Sequence, residues 1–375
     1  MIKVLVNGLN SNSAGGLNVL SNFLLSSLKN KDERVEYFVL VSSDILSKNS
    51  LFEGVHFIKV SKIFSYSYFN LFSYFLLFLF IEKKYKIDVV LNFGDLIPVC
   101  RSRMVYYFDW AYAVYPESDI WKDMSVKNLI VRKLKVFNIR LLIKYCSLVI
   151  AQTEVVKKKI KSTLFYDRVK VVNNTVSFDF GEATKDLVYD FKTGFKFLYI
   201  TRYYPHKNIE SLMEVAKIIK KNGDDFKIVL TIDETHHKKS KKLIEDIHIE
   251  GLGSVIINVG EVKRGDIPAL FSSVDALLMP TLLESYSASY LESMYFGKPI
   301  FTSNYDFSKE VCADVAIYFD PLNPQDIYSK IKEVVLNGGG ISERVKKGQA
   351  LVHDIPSSDD CFKNIQESLI EVYYK

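Results

Sequence analysis

Cysteine is scarce in this chain of 375 residues: Cys100, Cys146, Cys312 and Cys361 stand far apart, with no metal or redox spacing. That excludes a disulfide-stapled scaffold and a zinc module, and implies reduced thiols in a cytosolic protein. Histidine is also rare, at six residues. The pair His236-His237 lacks a surrounding carboxylate or cysteine pattern, so it reads as a solvated loop and not a metal site. The chain opens on Met1-Ile2-Lys3-Val4-Leu5-Val6, a strand pattern, without the separate basic and apolar regions of a signal peptide. A cytoplasmic location is therefore expected. Long uncharged runs dominated by apolar residues are nearly absent. The exception is residues 63–81, flanked by Lys62 and by Glu82-Lys83-Lys84. Its length is marginal for a membrane span. Serines, Asn70 and three tyrosines interrupt it, and it falls between two strand patterns where an α/β fold needs a crossover helix. A buried or membrane-grazing helix is the better reading.

What is abundant is apolar and aromatic. Hydrophobic residues make up 48% of the chain against 25% charged, a soluble globular balance, and there are 23 Tyr and 26 Phe. The length predicts about two domains. The net charge of +5 is uneven: residues 1–180 hold 25 Lys and Arg against 15 Asp and Glu, and the remainder 24 against 29. A basic first half and an acidic second half imply two domains with different partners. The basic half has no nucleic-acid-reading motif, so no nucleic acid is expected. An anionic membrane surface suits it.

Short β-rich runs alternate with helical stretches. Strands are predicted at 2–6, 37–41, 55–60, 89–92, 104–107 and 148–151, then at 195–201, 227–232, 255–259, 276–279, 299–302 and 316–319. Helices are predicted at 16–28, across the aromatic segment, and near 127–144. Nearly continuous apolar strands with crossover helices predict parallel sheets covered on both faces. Two in tandem make two doubly wound Rossmann-like domains with a cleft between them. The periodicity lapses over 173–192, which sets the expected domains at 1–180 and 181–358. A C-terminal amphipathic helix at 359–375, with Phe362, Ile365, Leu369 and Val372 on one face, is free to pack back on the first domain.

Chemistry concentrates at the predicted strand ends of the second half. Arg202 and Lys207 follow one strand and precede a helix, a cation pair suited to a diphosphate: Arg brings a planar fork, Lys a point charge. Either also reads as a plain surface cation. Glu284 follows the apolar run 274–279, and Glu292 lies eight positions on, inside a helix. Two carboxylates at such a junction suit hydroxyl groups, since a carboxylate accepts two hydrogen bonds from a vicinal diol. The bland alternative is a helix cap and a helix-surface charge. The amides of the loop Ser285-Tyr286-Ser287 at that helix start would favour a phosphate.

The order strand, Arg-x4-Lys, helix, then Glu-x7-Glu and Gly297-Lys298-Pro299, resembles the retaining GT-B glycosyltransferases of family 4. Gly260-Glu261-Val262, Tyr318-Phe319-Asp320-Pro321 and Ser13-Ala14-Gly15-Gly16-Leu17 extend the resemblance over nearly the whole chain. It implies a GT-B fold and a metal-independent hexosyltransferase without cofactor, using a UDP-, GDP- or dTDP-sugar. Arg202 and Lys207 would hold the diphosphate, Glu284 the donor sugar and Glu292 the ribose. Gly15 and Gly16 would let backbone approach the distal phosphate, and Val262 would border the base. No Asp-x-Asp metal signature stands at a strand end. Asp109, at the end of a first-domain strand, is the third catalytic candidate beside Lys207 and Glu284, with a buried structural role as its alternative.

Two departures stand out. Ser285 and Ser287 replace glycines common in the family, and Phe108 replaces a His before Asp109, which would suit a 6-deoxy donor. The acceptor implied is a polyprenyl-linked or free glycan in bacterial O-antigen or capsule synthesis, with the enzyme peripheral on the inner membrane face. A nucleotide-sugar 2-epimerase and a non-catalytic partner subunit are the alternatives.

Overall fold

The computed structural model describes every residue except Asn12, Ser13, Tyr66, Asp123, Ser177, Asp179, Asp186 and Gly339; for Ala14, Ser65 and residues 67–73 it describes the backbone alone. The chain divides into two compact units, Met1–Thr175 with Pro356–Lys375, and Val176–Ile355.

The first unit holds strands β1 (Ile2–Asn7), β2 (Val35–Val41), β3 (His56–Lys59), β4 (Val89–Asn92), β5 (Arg103–Phe108), β6 (Leu148–Ala151) and β7 (Val169–Val171). They form one parallel sheet in the order 3-2-1-4-5-6-7. Val4, Leu5 and Val6 are all fully buried, as strands covered on both faces require. Its helices are α1 (Ala14–Lys29), α2 (Asp44–Ser47), α3 (Ser67–Tyr85), α4 (Val126–Leu142) and α5 (Glu154–Leu164). The uncharged segment 63–81 supplies most of α3, and its Phe78 and Ile81 are buried. The buried Glu82 carboxylate accepts from the backbone N–H groups of Arg101 and Ser102, at 3.1 and 2.8 Å. Among the described residues, no helix is long and apolar enough to cross a membrane.

The second unit holds β8 (Phe195–Tyr199), β9 (Phe226–Leu230), β10 (Ile256–Asn258), β11 (Ala276–Met279), β12 (Ile300–Ser303) and β13 (Ala316–Phe319), all parallel, in the order 10-9-8-11-12-13. Its helices are α6 (Ile209–Asn222), α7 (Lys238–Ile249), α8 (Ile267–Ser272), α9 (Ala288–Tyr295), α10 (Asp306–Cys312), α11 (Pro324–Asn337) and α12 (Ile341–His353). On α6, Ile209, Leu212, Met213, Ala216 and Ile219 face the core, and Gly223 in the left-handed region ends the helix. The last helix, α13 (Ser358–Tyr374), belongs to the first unit: Phe362, Ile365, Leu369 and Val372 enter that unit's core beside Phe23 and Leu91.

Every predicted strand is present, most with ends shifted by a residue or two. One strand, β7, was not anticipated. At three residues on the sheet edge, with Lys170 in its middle, it is too short to carry a period. The break between units falls at Thr175, five residues before the expected position; part of the lapse 173–192 lies outside the described residues.

Candidate functional site

In the second sheet β8 and β11 are neighbours whose crossovers run to opposite sides, so the loops leaving their carboxyl ends diverge and open a crevice. Arg202 and Lys207 lie on the loop after β8, Glu284 on the loop after β11. The two loops are stitched together. The Leu282 N–H donates to the His206 carbonyl at 2.7 Å, and the Thr281 hydroxyl to the same oxygen at 3.1 Å. Asn208, left-handed at φ 51°, starts α6 and donates its side-chain amide to the carbonyls of Pro280 and Pro321 at 3.1 and 2.8 Å.

This frame brings two of the predicted residues into direct contact. The Lys207 ammonium donates to Glu284 Oε1 at 2.5 Å, and the Thr281 hydroxyl oxygen lies 3.1 Å from the same oxygen, as an alternative acceptor to the His206 carbonyl. The side chains are only 14% and 11% exposed. The Tyr199 hydroxyl, beneath, donates to the Lys207 carbonyl at 2.9 Å. Glu284 thus spends one oxygen on the protein. Among the described residues nothing donates to Oε2, which is left for a ligand. Lys207, with three N–H donors, keeps capacity for an anion.

Arg202 stands on the rim, where its guanidinium donates to Glu261; His236 lies 3.3 Å from the other oxygen of that carboxylate. Val262, next in sequence, packs on the apolar cluster around Leu270 and Phe271. Ser285, Tyr286 and Ser287 form the approach to α9, whose N-cap Ser287 makes no side-chain capping bond. Ser287 is extended at φ −123°, and Ser285 does not have positive φ. Serine in place of glycine therefore costs nothing at either position. Glu292, half-buried on α9, has its carboxyl pushed up to about 7 by desolvation, with Arg264 opposing.

In the first unit, Gly15 and Gly16 open α1; Ser13 of the same motif lies outside the described residues. A Cβ on Gly15 would meet nothing within 4 Å among the described residues, and one on Gly16 would meet Ser11 at 3.6 Å. Asp109 follows β5 with its Oδ1 sealed from solvent and without a hydrogen-bond partner. Burial first, and the Asp95 carboxylate second, push it up to about 8, against a smaller pull from Lys135. Lys135 binds Asp95 at 2.6 Å and lies 5.5 Å from the centre of the Trp110 ring. Phe108 is wholly buried, edge-on to Tyr106, and offers no surface to a sugar methyl. The expectation of a 6-deoxy donor loses its physical basis here.

Thr281, Asn208, Glu261 and Asp95 were not singled out as site residues by sequence. Glu261 sits in the quoted Gly260-Glu261-Val262, and Asp95 follows β4 after Gly94, so strand-end position was the available signal. For Asn208 no signal existed, because its partners are backbone carbonyls distant in sequence, and nothing announced the contact of Thr281 with the His206 carbonyl 75 residues away.

Residues 188–350, within the second unit, match the family model of glycosyl transferases group 1, which agrees with the glycosyltransferase resemblance read from the sequence. The two parallel-sheet units have the GT-B fold: the chain superposes on Anabaena Alr3699/HepE, solved with UDP-glucose, with a TM-score of 0.70, 14% identity and coverage of 99% of this chain and 100% of that one. Among curated proteins it is similar to the O-antigen chain mannosyltransferase RfbU of Salmonella typhimurium, 23% identical over 64% of this chain and 62% of that protein. It is also similar to a 41.2 kDa protein in the cps region of Klebsiella pneumoniae, 24% identical over 57% and 56%. The matched regions thus span about three fifths of these curated relatives.

Proposed function

We propose that this protein is a retaining, metal-independent glycosyltransferase that moves a hexose from a nucleoside diphosphate sugar to a lipid-linked glycan in bacterial surface-polysaccharide synthesis. The observation that carries the reading is the convergence of Lys207 and Glu284 at the switch point of the second sheet, with Arg202 at its rim. Lys207 and Arg202 supply positive charge for the diphosphate. The free Oε2 of Glu284 accepts from donor-sugar hydroxyls, and Glu292 on α9 from the ribose diol. The α9 amides add a favourable dipole at the phosphates. With cations and helix dipole carrying the charge, no step requires a divalent ion, and catalysis rests on positioning and electrostatic stabilisation of the departing diphosphate. The HepE complex with UDP-glucose and the name of RfbU support a nucleotide-sugar donor and a polysaccharide product.

The test is binding followed by turnover. Thermal shift against UDP, GDP and dTDP identifies the base, since a bound ligand stabilises by RT ln(1 + [L]/Kd). Lys207→Ala should then abolish that shift and lower transfer by at least about a hundredfold, in line with removal of one group that stabilises developing charge. Full turnover by Lys207→Ala would reject the phosphate assignment. Conversion of the donor alone into an epimer would reassign the protein as an isomerase.

A further inference from the structure

Helix α4 wears its apolar stripe on the outside. Val126, Ile130, Leu134, Phe137 and Leu141, with Tyr145 just beyond the helix end, are between 47% and 74% exposed. At 100° per residue these six fall within an arc of about 100°. The opposite side is what holds the helix to its unit. Ile139 and Ile143 are buried, Lys135 pairs with Asp95, Asn138 accepts from the Ile97 N–H at 2.9 Å, and the Arg132 guanidinium lies 4.6 Å from the Tyr112 ring centre. A stripe of this kind is not explained by the core, which α4 already satisfies with its other face.

Charge says what covers it. From Val126 to Tyr145 the sequence has six Lys and Arg and no acidic residue. Lys133, Arg140 and Lys144 flank the stripe on one side and Lys127 on the other, all exposed. Helix α3 packs against α4 and adds exposed Phe75, Leu76 and Phe80, with Lys83 and Lys84 at its end. An apolar arc whose charged neighbours along α4 are cations matches an anionic lipid surface, where aromatic and aliphatic side chains enter the acyl boundary and the cations meet head groups. Among the described residues no helix is long and apolar enough to cross a bilayer, so the posture considered is an interfacial one.

We infer that α4, aided by α3, docks the first unit on an anionic membrane leaflet with Leu134 and Phe137 as its inserted anchors. For its purpose the inference rests on the lipid-linked acceptor proposed above; its evidence lies in these helices alone. The test is co-sedimentation with phosphatidylcholine vesicles with and without phosphatidylglycerol, at low and at about 0.5 M salt. Wild-type protein should bind the anionic vesicles at low salt only. Both Leu134→Gln/Phe137→Gln and Lys133→Gln/Arg140→Gln/Lys144→Gln should weaken binding at least tenfold. All these side chains are exposed, so the melting temperature should not move.

Three outcomes overturn the inference. In one, wild-type protein ignores both vesicles. In another, the Leu134/Phe137 variant binds as wild type does. In the third, a wild-type dimer, measured by light scattering, becomes monomeric in that variant while vesicles are ignored, which makes the stripe a contact between copies. The thermal shift with nucleoside diphosphate is read alongside. Its failure strikes the proposed function and leaves the docking inference standing.

Discussion

At the scale of single residues, the site is a balance of charges in poor contact with water. Lys207 and Glu284 neutralise each other, so the second unit folds around the pair without leaving a bare charge in the crevice. Glu292 has no such partner at hydrogen-bond distance among the described residues, and burial raises its carboxyl to about 7. A carboxyl raised in the folded state holds a proton there that the unfolded chain has lost. Its contribution to stability therefore falls as pH rises from its ordinary 4.5 through about 7. Glu292→Gln should accordingly be more stable than wild type at pH 8, by about 3 kcal/mol, and equal to it near pH 4. Binding moves the other way, since only the ionised form accepts from both hydroxyls of a diol. Wild-type affinity for the nucleoside diphosphate should rise between pH 6 and 8 more steeply than that of Glu292→Gln, as titration calorimetry would show. Equal slopes would remove Glu292 from the ribose end. Arg202, Lys207, Glu284 and Glu292 were legible in the sequence because each sits at a fixed step from a strand or helix end. The pairing of Lys207 with Glu284 was not, since residues 77 apart in sequence meet only once the sheet is wound.

At the scale of elements, periodicity was a good guide wherever a strand is covered on both faces and a poor one at the margins. Strands β4 and β11, buried at every residue, and β6 and β13, each with one half-buried residue, have the bounds predicted for them, whereas the three-residue strand β7 has no run to read. The connection entering the second unit was read as a lapse, yet part of it is firmly placed. The Thr184 N–H and hydroxyl donate to the two oxygens of Asp266 at 2.6 and 2.8 Å, and the Asp266 carboxyl is held below its usual range mainly by that backbone bond. Beside it, a Cβ on Gly265 would stand 1.8 Å from the Glu182 carbonyl oxygen. Backbone cannot swing aside as a side chain does. Gly265→Ala should thus peel residues 182–184 from the turn and destabilise the protein by more than about 2 kcal/mol, seen as a lower melting temperature. An unchanged melting temperature would mean the segment does not lie there in solution.

At the scale of the molecule, the first unit is completed by chain that comes after the second. Leu369 on α13 is fully buried in the first unit's core, so Leu369→Ala should cost about 2–5 kcal/mol. Both tryptophans, Trp110 and Trp121, belong to the first unit. Urea unfolding followed by tryptophan fluorescence therefore reports that unit, and its midpoint should drop in the variant; an unmoved midpoint would place α13 elsewhere. The same interleaving governs the order of events on the ribosome. Residues 1–175 leave the exit tunnel first, yet their core lacks Phe362, Ile365, Leu369 and Val372 until the whole of 176–355 has been made. The unit encoded in the middle is the first that has all its parts. A nascent chain arrested anywhere before α13 therefore exposes an open apolar seam, ready to be recognised by chaperones and proteases, even when its second unit is already finished.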